Sequence, residues 1–184
     1  MRSLEGHFLI AMPGMGDPNF QETVAYICKH DEDGALGIVI NKPTSMVLGE
    51  VFRQLSLEVC TGEHDAAPVL SGGPVQPERG FVLHESDAEF DSTVDPKAAV
   101  KVTVSHDILA AMARGEGPDR AVVALGYAGW SAGQLEAELA ANAWLSAPAD
   151  PAVIFATPYD QRWSAAARLL GVDIHQIANY AGHA

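Results

Sequence analysis

Gly129-Trp130-Ser131-Ala132-Gly133 sets a serine at the centre of a G-x-S-x-G pattern, between an apolar run that reads as a strand and an amphipathic run that reads as a helix. That is the context of a nucleophile elbow, in which Ser131 would attack an acyl carbon while a downstream acid and histidine manage its proton. Asp150, Asp160 or Asp173 with His175 or His183 could complete such a triad. The same hydroxyl has a structural use. Ser131 and Gln134 stand at capping-box spacing, where a serine accepts from first-turn amides and the glutamine reaches back. The modest chain length, an early hairpin in place of repeated strand–helix units and the want of an upstream oxyanion loop favour the cap, so the serine hydrolase is the alternative reading.

Two further groupings could bind metal. Cys28 and His30 are two apart in a strand candidate and are expected on one face, where sulfur and imidazole could begin a zinc site. Cys60 and His64 are the available completions, although C-x-H and C-x₃-H are not usual structural-zinc spacings, and Cys28 also reads as a small core hydrophobe or as a redox thiol. Glu85, Asp87, Glu89 and Asp91 alternate with period two, so in an extended segment all four carboxylates would face one way and could hold Mg²⁺ or Ca²⁺. A solvated acidic loop attractive to a basic protein partner is the competing reading. Phosphate-binding glycine loops are missing, so no nucleotide or other cofactor is expected.

The elements that must position these residues follow from periodicity. Phe8–Met12 reads as a strand. Thr23–His30 and Ala35–Asn41 read as a hairpin about Asp31–Gly34, with Leu36, Ile38 and Ile40 sharing a face. Val47–Leu55 has helical spacing, and residues 56–68 read as a polar loop. Val69-Leu70 and Gly80–Glu85 suggest short strands around the Ser71-Gly72-Gly73-Pro74 bend. Val100–Val104 is expected as a strand, then Ser105–Arg114 as a helix with Ser105 as N-cap and Gly115 at its end. Ala121–Tyr127 reads as a buried strand, Ser131–Ala143 as a helix and Ala152–Ala156 as a last strand. Tyr159–Leu170 and Asp173–Tyr180 read as helices parted by Gly171. Within Ser131–Ala143, Gln134, Glu138 and Asn142 form a polar stripe opposite Leu135 and Leu139. Early hairpins and late helices predict an α+β fold in a single domain over residues 1–184.

The 184 residues are 48% hydrophobic and 19% charged, with a formal net charge of −13. A chain of this size and composition folds around its own core. The charge, the absence of a basic helix and the absence of any recognition-helix pattern argue against direct binding to nucleic acid. No run reaches the length of a membrane span and no signal peptide is legible, so the expectation is a cytoplasmic protein with reduced thiols.

Taken in order, several blocks resemble the bacterial YqgE/AlgH family. They are Gly6–Pro13 with Asp17-Pro18 and Phe20, Thr23–His30, Gly34–Pro43, Gly72–Val75, Gly80–His84, Gly126–Glu136, Asn142–Leu145 and Gly182-His183-Ala184. The resemblance implies a compact α+β unit with a mixed, partly closed β-barrel flanked by helices. It also implies a cytoplasmic protein with no generally assigned enzymatic activity or cofactor, although some members carry the label of transcriptional regulator. The position of Ser131 is loosely specified in the family's glycine- and tryptophan-containing block, which weakens the hydrolase reading. The leading expectation is a non-enzymatic regulatory or adaptor protein that contacts a protein partner or small ligand near Asn41, Trp130, Gln134, Glu138 and Asn142. The alternative is a hydrolase, serine-type through Ser131 or metal-dependent through Glu85 and Asp87.

Overall fold

The computed structural model describes residues 2–59, 62, 64–85, 90–94 and 99–181. Alternation at period two buries both faces of the first hairpin. In β1 (His7–Ala11), β2 (Val24–Asp31) and β3 (Gly34–Val39), Phe8, Ile10, Val24, Tyr26 and Ile38 turn to one side, and Leu9, Ala11, Ala25, Ile27 and Val39 to the other. β4 (Pro43–Val47) leads into α1 (Leu48–Gln54), followed by β5 (Pro68–Ser71), β6 (Val75–His84), β7 (Thr93–Val94) and β8 (Lys101–Thr103). Then come α2 (His106–Ala113), the long β9 (Ala121–Ser131), α3 (Gln134–Ala140), β10 (Trp144–Pro148), α4 (Pro151–Phe155), a 3-10 turn at Tyr159–Gln161, α5 (Arg162–Arg168) and α6 (Ile174–Ala181).

The strands form one mixed sheet in the order β10-β1-β2-β3-β9-β6-β8-β7. β5 pairs parallel with β9 and carries β4 on its other edge. The sheet is curled but does not close: β10 and β7, at the two ends of the order, do not pair among the described residues. One face holds the main core. There Tyr26, Ile38, Phe81, Leu83 and Val102 meet Ile154, Trp163 and Ala166 from α4 and α5. Tyr26 Oη ties this core across the curl by donating to Val100 O at 2.8 Å. The other face carries two smaller clusters. α3 covers one, built around Trp130 and Trp144, and α1 and α2 cover the other through Phe52, Ile108 and Met112. The expected α+β class holds, with a partly curled sheet standing where the resemblance implied a partly closed barrel.

Two expectations are corrected. Ala152–Ala156 is helical, not a strand, because Asp150 accepts from Ala152 N–H (3.0 Å) as N-cap and Pro151 occupies the first turn. The strand of that region is β10, whose apolar positions do not alternate clearly in the sequence. The helix expected over Ser131–Ala143 spans only Gln134–Ala140, since β9 runs on to Ser131 and pairs it with Gly34.

The Gly72-Gly73 bend crosses β9 so closely that a Cβ on Gly73 would lie 2.1 Å from the Tyr127 carbonyl carbon. Gly126 (φ +79°) faces it across the same crossing, with a Cβ position 2.4 Å from Gly73 O. Here glycine is required by backbone contact as well as by conformation.

Candidate functional site

The residues singled out by type mostly serve the fold. Ser131 ends β9 in exposed, extended backbone and lacks the positive φ of the chain's strained positions, which the sharp turn of a nucleophile elbow would lead one to look for. Its Oγ donates to Gln134 Oε1 (3.2 Å), and that oxygen also accepts from Ser131 N–H (3.0 Å). Half of the capping box therefore forms. The N-cap itself is Gly133 (φ 77°), because the chain turns there rather than at Ser131. The imagined triad partners lie elsewhere. Asp150 caps α4, Asp173 accepts from His175 N–H (3.0 Å), and the His175 ring packs edge-on against Trp163. Asp160 lines a hollow beside Tyr159, and His183 lies outside the described residues.

His30 sits within reach of a carboxylate but is committed on both nitrogens. Leu4 N–H donates to Nδ1 (2.9 Å), so Nε2 carries the proton and donates to Glu136 Oε1 (2.6 Å). That bond is the main reason the Glu136 carboxyl lies below its ordinary range. Cys28 does not share a face with His30, contrary to the sequence expectation. The register steps from Ile27 opposite Gly37 to Lys29 opposite Leu36, leaving Cys28 as the extra residue of a β-bulge. Cys28 therefore packs into the main core, while His30, opposite Ala35, turns toward α3. Burial raises the Cys28 thiol far above its ordinary value, and Glu5 adds to the shift. The native chain should accordingly leave Cys28 unmodified by a thiol reagent at pH 7.5 and release it only on unfolding. Fast labelling of Cys28 in the native state would contradict this burial. Cys60 lies outside the described residues, and His64 belongs to the loop before β5.

Asp87 and Glu89 also lie outside the described residues. Glu85 faces Arg120 at 3.5 Å, and Asp91 N–H donates to Asp107 Oδ2 (2.8 Å). Among the described residues, no group of three or more His, Cys, Asp or Glu is placed to hold a metal ion.

Of the five residues expected to share a binding surface, Trp130, Gln134 and Glu138 meet in one hydrogen-bond network, Asn142 follows α3, and Asn41 stands apart at the end of the first hairpin. Trp130 and Asn41 are buried, at 5% and 8% exposure. Asn41 accepts from Val24 N–H (2.9 Å) and donates to Glu22 O (2.8 Å), which locks the end of the hairpin. Glu138 binds two indoles with one oxygen, accepting from Trp130 Nε1 (2.8 Å) and Trp144 Nε1 (3.0 Å). Its second oxygen accepts from Gln134 (3.1 Å). Asn142 adopts φ 59° just beyond α3. Its N–H donates to Leu139 O (3.1 Å) and the next N–H, of Ala143, donates to Glu138 O (3.0 Å), the paired bonds of a Schellman ending. Asn142→Gly should therefore keep stability within a few tenths of a kcal/mol, whereas Asn142→Val should lose about 1–2 kcal/mol in a urea titration. Equal midpoints for the two variants would contradict that role.

The site that residue types did not reveal is a cleft of about 450 Å³ between α1, α2 and the sheet. Val82, Val123 and Leu125 form its floor, and Val51, Leu55 and Leu109 its walls. Size and apolar lining are those of a small-molecule pocket. Thr103, also on the lining, belongs to a partly buried relay: Phe90 N–H donates to Thr93 Oγ1 (2.9 Å), Thr93 Oγ1 bonds Thr103 Oγ1 (2.8 Å), and Thr103 Oγ1 meets the buried His84 Nε2 (2.7 Å). His84 Nδ1 is buried without a hydrogen-bond partner among the described residues. Burial is the first cause holding the His84 pKa below its ordinary value of 6.5, with Lys101 second. Because the folded pKa is depressed, the unfolded chain binds the proton more readily. This stabilising contribution is complete above pH 6.5 and falls away as pH drops from there toward the folded value. Melting temperature should thus decline on acidification through pH 6, and decline less in His84→Phe; the same slope in both chains would contradict the assignment. A wider hollow of about 740 Å³ beside Asn41 is lined by Glu22, Lys42, Asp160, Tyr159 and the exposed Pro43 and Pro158.

The curled mixed sheet with its helix-covered cleft defines a small α+β protein. Residues 8–175 match the family model described as AlgH-like. The chain is 52% identical to a UPF0301 protein of Methylococcus capsulatus, over 98% of this chain and 96% of that one. It is 50% identical to a UPF0301 protein of Nitrosococcus oceani, over 97% and 95%. The solution structure of the AlgH protein from Pseudomonas aeruginosa superposes with a TM-score of 0.80 at 47% identity, covering 100% of both chains. The crystal structure of protein DIP2367 from Corynebacterium diphtheriae shares the fold with a TM-score of 0.76 at 20% identity, covering 97% of this chain and 93% of that one. The chain belongs to the AlgH-like family.

Proposed function

We propose that this chain is a non-enzymatic regulatory or adaptor protein of the cytoplasm that works by binding, and that the cleft between α1 and α2 is where it binds. The observation that carries the reading is the cleft itself, a largely apolar cavity of about 450 Å³ whose lining also includes the exposed polar residues Gln54, Glu78 and His106. The commitments of Ser131, His30 and Cys28 to internal hydrogen bonds and core packing support binding over hydrolysis. A net charge of −13 supports contacts with proteins or small ligands over direct contact with nucleic acid. Among the described residues, no helix is long and apolar enough to cross a membrane.

The test is affinity capture of the tagged chain from its own cytosol after crosslinking, beside Gly80→Leu. Gly80 lines the cleft, and a Cβ added there meets nothing nearer than Leu125 Cδ2 at 3.9 Å, so the leucine fills the cavity without disturbing the strand. A stoichiometric partner or ligand held by the wild type and lost by Gly80→Leu is expected. Equal capture by both would contradict the cleft as the binding site. Labelling by a fluorophosphonate that vanished in Ser131→Ala would contradict the non-enzymatic reading.

A further inference from the structure

We infer that the cleft takes a small amphipathic organic cation, its apolar body against Val51, Leu55 and Leu109 and its ammonium or amidinium group against Glu78. The inference rests on the cleft being the binding site. The exposed residues Gln54, Glu78 and His106 line the cleft, and none of these three side chains has a hydrogen-bond or ion-pair partner among the described residues. Glu78 is the carboxylate on that lining, and the Gln54 amide and His106 imidazole on the same lining can accept further N–H donors.

The other charge nearby is turned away. Arg79 contributes to the wall, but its guanidinium stands over the Phe81 ring, 5.4 Å from the centroid, and Phe81 packs into the main core on the opposite face from Val82. The helix α2 N-terminus already carries a carboxylate that disfavours an anion, with Asp107 Oδ1 accepting from Ile108 N–H (3.0 Å) and from Ser105 Oγ. A net charge of −13 further raises the local concentration of cations over anions. The volume suits one compact ligand.

Three probes with a common body decide the matter: 4-phenylbutylamine, 4-phenylbutanol and 4-phenylbutyrate, each titrated into the full chain by calorimetry. The amine should bind at least about threefold more tightly than the alcohol, with the carboxylate weakest. Glu78→Gln should bring the amine down to the alcohol's affinity, while Glu58→Gln, which removes the same charge from outside the cleft, should leave the preference intact. Gly80→Leu should abolish binding of all three. If the carboxylate matches the amine, or the amine's preference survives Glu78→Gln, the ligand class is wrong; blockage by Gly80→Leu would still leave the cleft standing. If none of the probes binds, or Gly80→Leu leaves binding unchanged, the cleft reading falls and this inference with it.

Discussion

Replacing Gly73 with alanine should cost at least about 4 kcal/mol, enough to leave little folded chain at 37 °C. The added Cβ would sit 2.1 Å from the carbonyl carbon and 2.2 Å from the carbonyl oxygen of Tyr127. Neither atom belongs to a side chain that can swing aside. Tyr127 lies in β9, which is held on one edge by β6 and on the other by β3 and β5, so relief would require breaking ladder bonds in the middle of the sheet. Overpacking against movable side chains costs about 1–3 kcal/mol, and a fixed backbone raises that figure. Gly14→Ala is the matched control, because a Cβ there meets nothing within 4 Å, and it should stay within about 0.5 kcal/mol of the wild type. Urea midpoints by circular dichroism read both. A loss under about 1 kcal/mol for Gly73→Ala would mean that the crossing is looser than described.

The second large effect is expected at Glu138. Its Oε2 accepts from Trp130 and Trp144, whose rings are 5% and 4% exposed and meet edge to face at 6.0 Å. Glu138→Leu strands two buried indole N–H groups at once. Each unsatisfied donor costs about 1–3 kcal/mol, so the variant should lose about 2–6 kcal/mol. Glu138→Gln retains an acceptor oxygen and forfeits only the charge, so it should lose about 1–2 kcal/mol. Double-mutant cycles with Trp144→Phe check that the loss passes through the indole bond, by a coupling of at least about 1 kcal/mol. Full additivity would assign Glu138 some other role. This carboxylate was legible in the sequence as part of a polar stripe on α3. That two tryptophans 14 residues apart, at positions 130 and 144, would claim it was not, because a stripe read from spacing looks the same whether it faces water or neighbouring side chains.

Similar limits explain the other differences. The first hairpin, α1 and α2 were legible because alternation and helical spacing continue unbroken over their lengths. Ala152–Ala156 was misread because a short apolar run satisfies a buried strand and a buried helix equally well, and the decision lies in the preceding Asp150-Pro151 cap. β10 carries Ser146 and Pro148 and sits at the sheet's edge, where a weakly patterned strand suffices. One bulge at Cys28 reverses the face of everything after it, and period-two reasoning carries no sign of it. The cleft was the least legible feature, since Val51, Val82, Leu109 and Val123 come from α1, β6, α2 and β9 and meet only in the folded chain. Each of them reads in isolation as an ordinary core residue.

The central claim is that this member of the AlgH-like family acts by binding in that cleft, and a small-fragment screen followed by amide NMR shifts tests it most directly. The predicted result is that fragments which bind move the resonances of Val51, Leu55, Thr103, Leu109 and Val123 together, and that Gly80→Leu removes those shifts. Shifts gathered instead around Ser131 and Gln134, or unchanged by Gly80→Leu, would contradict it.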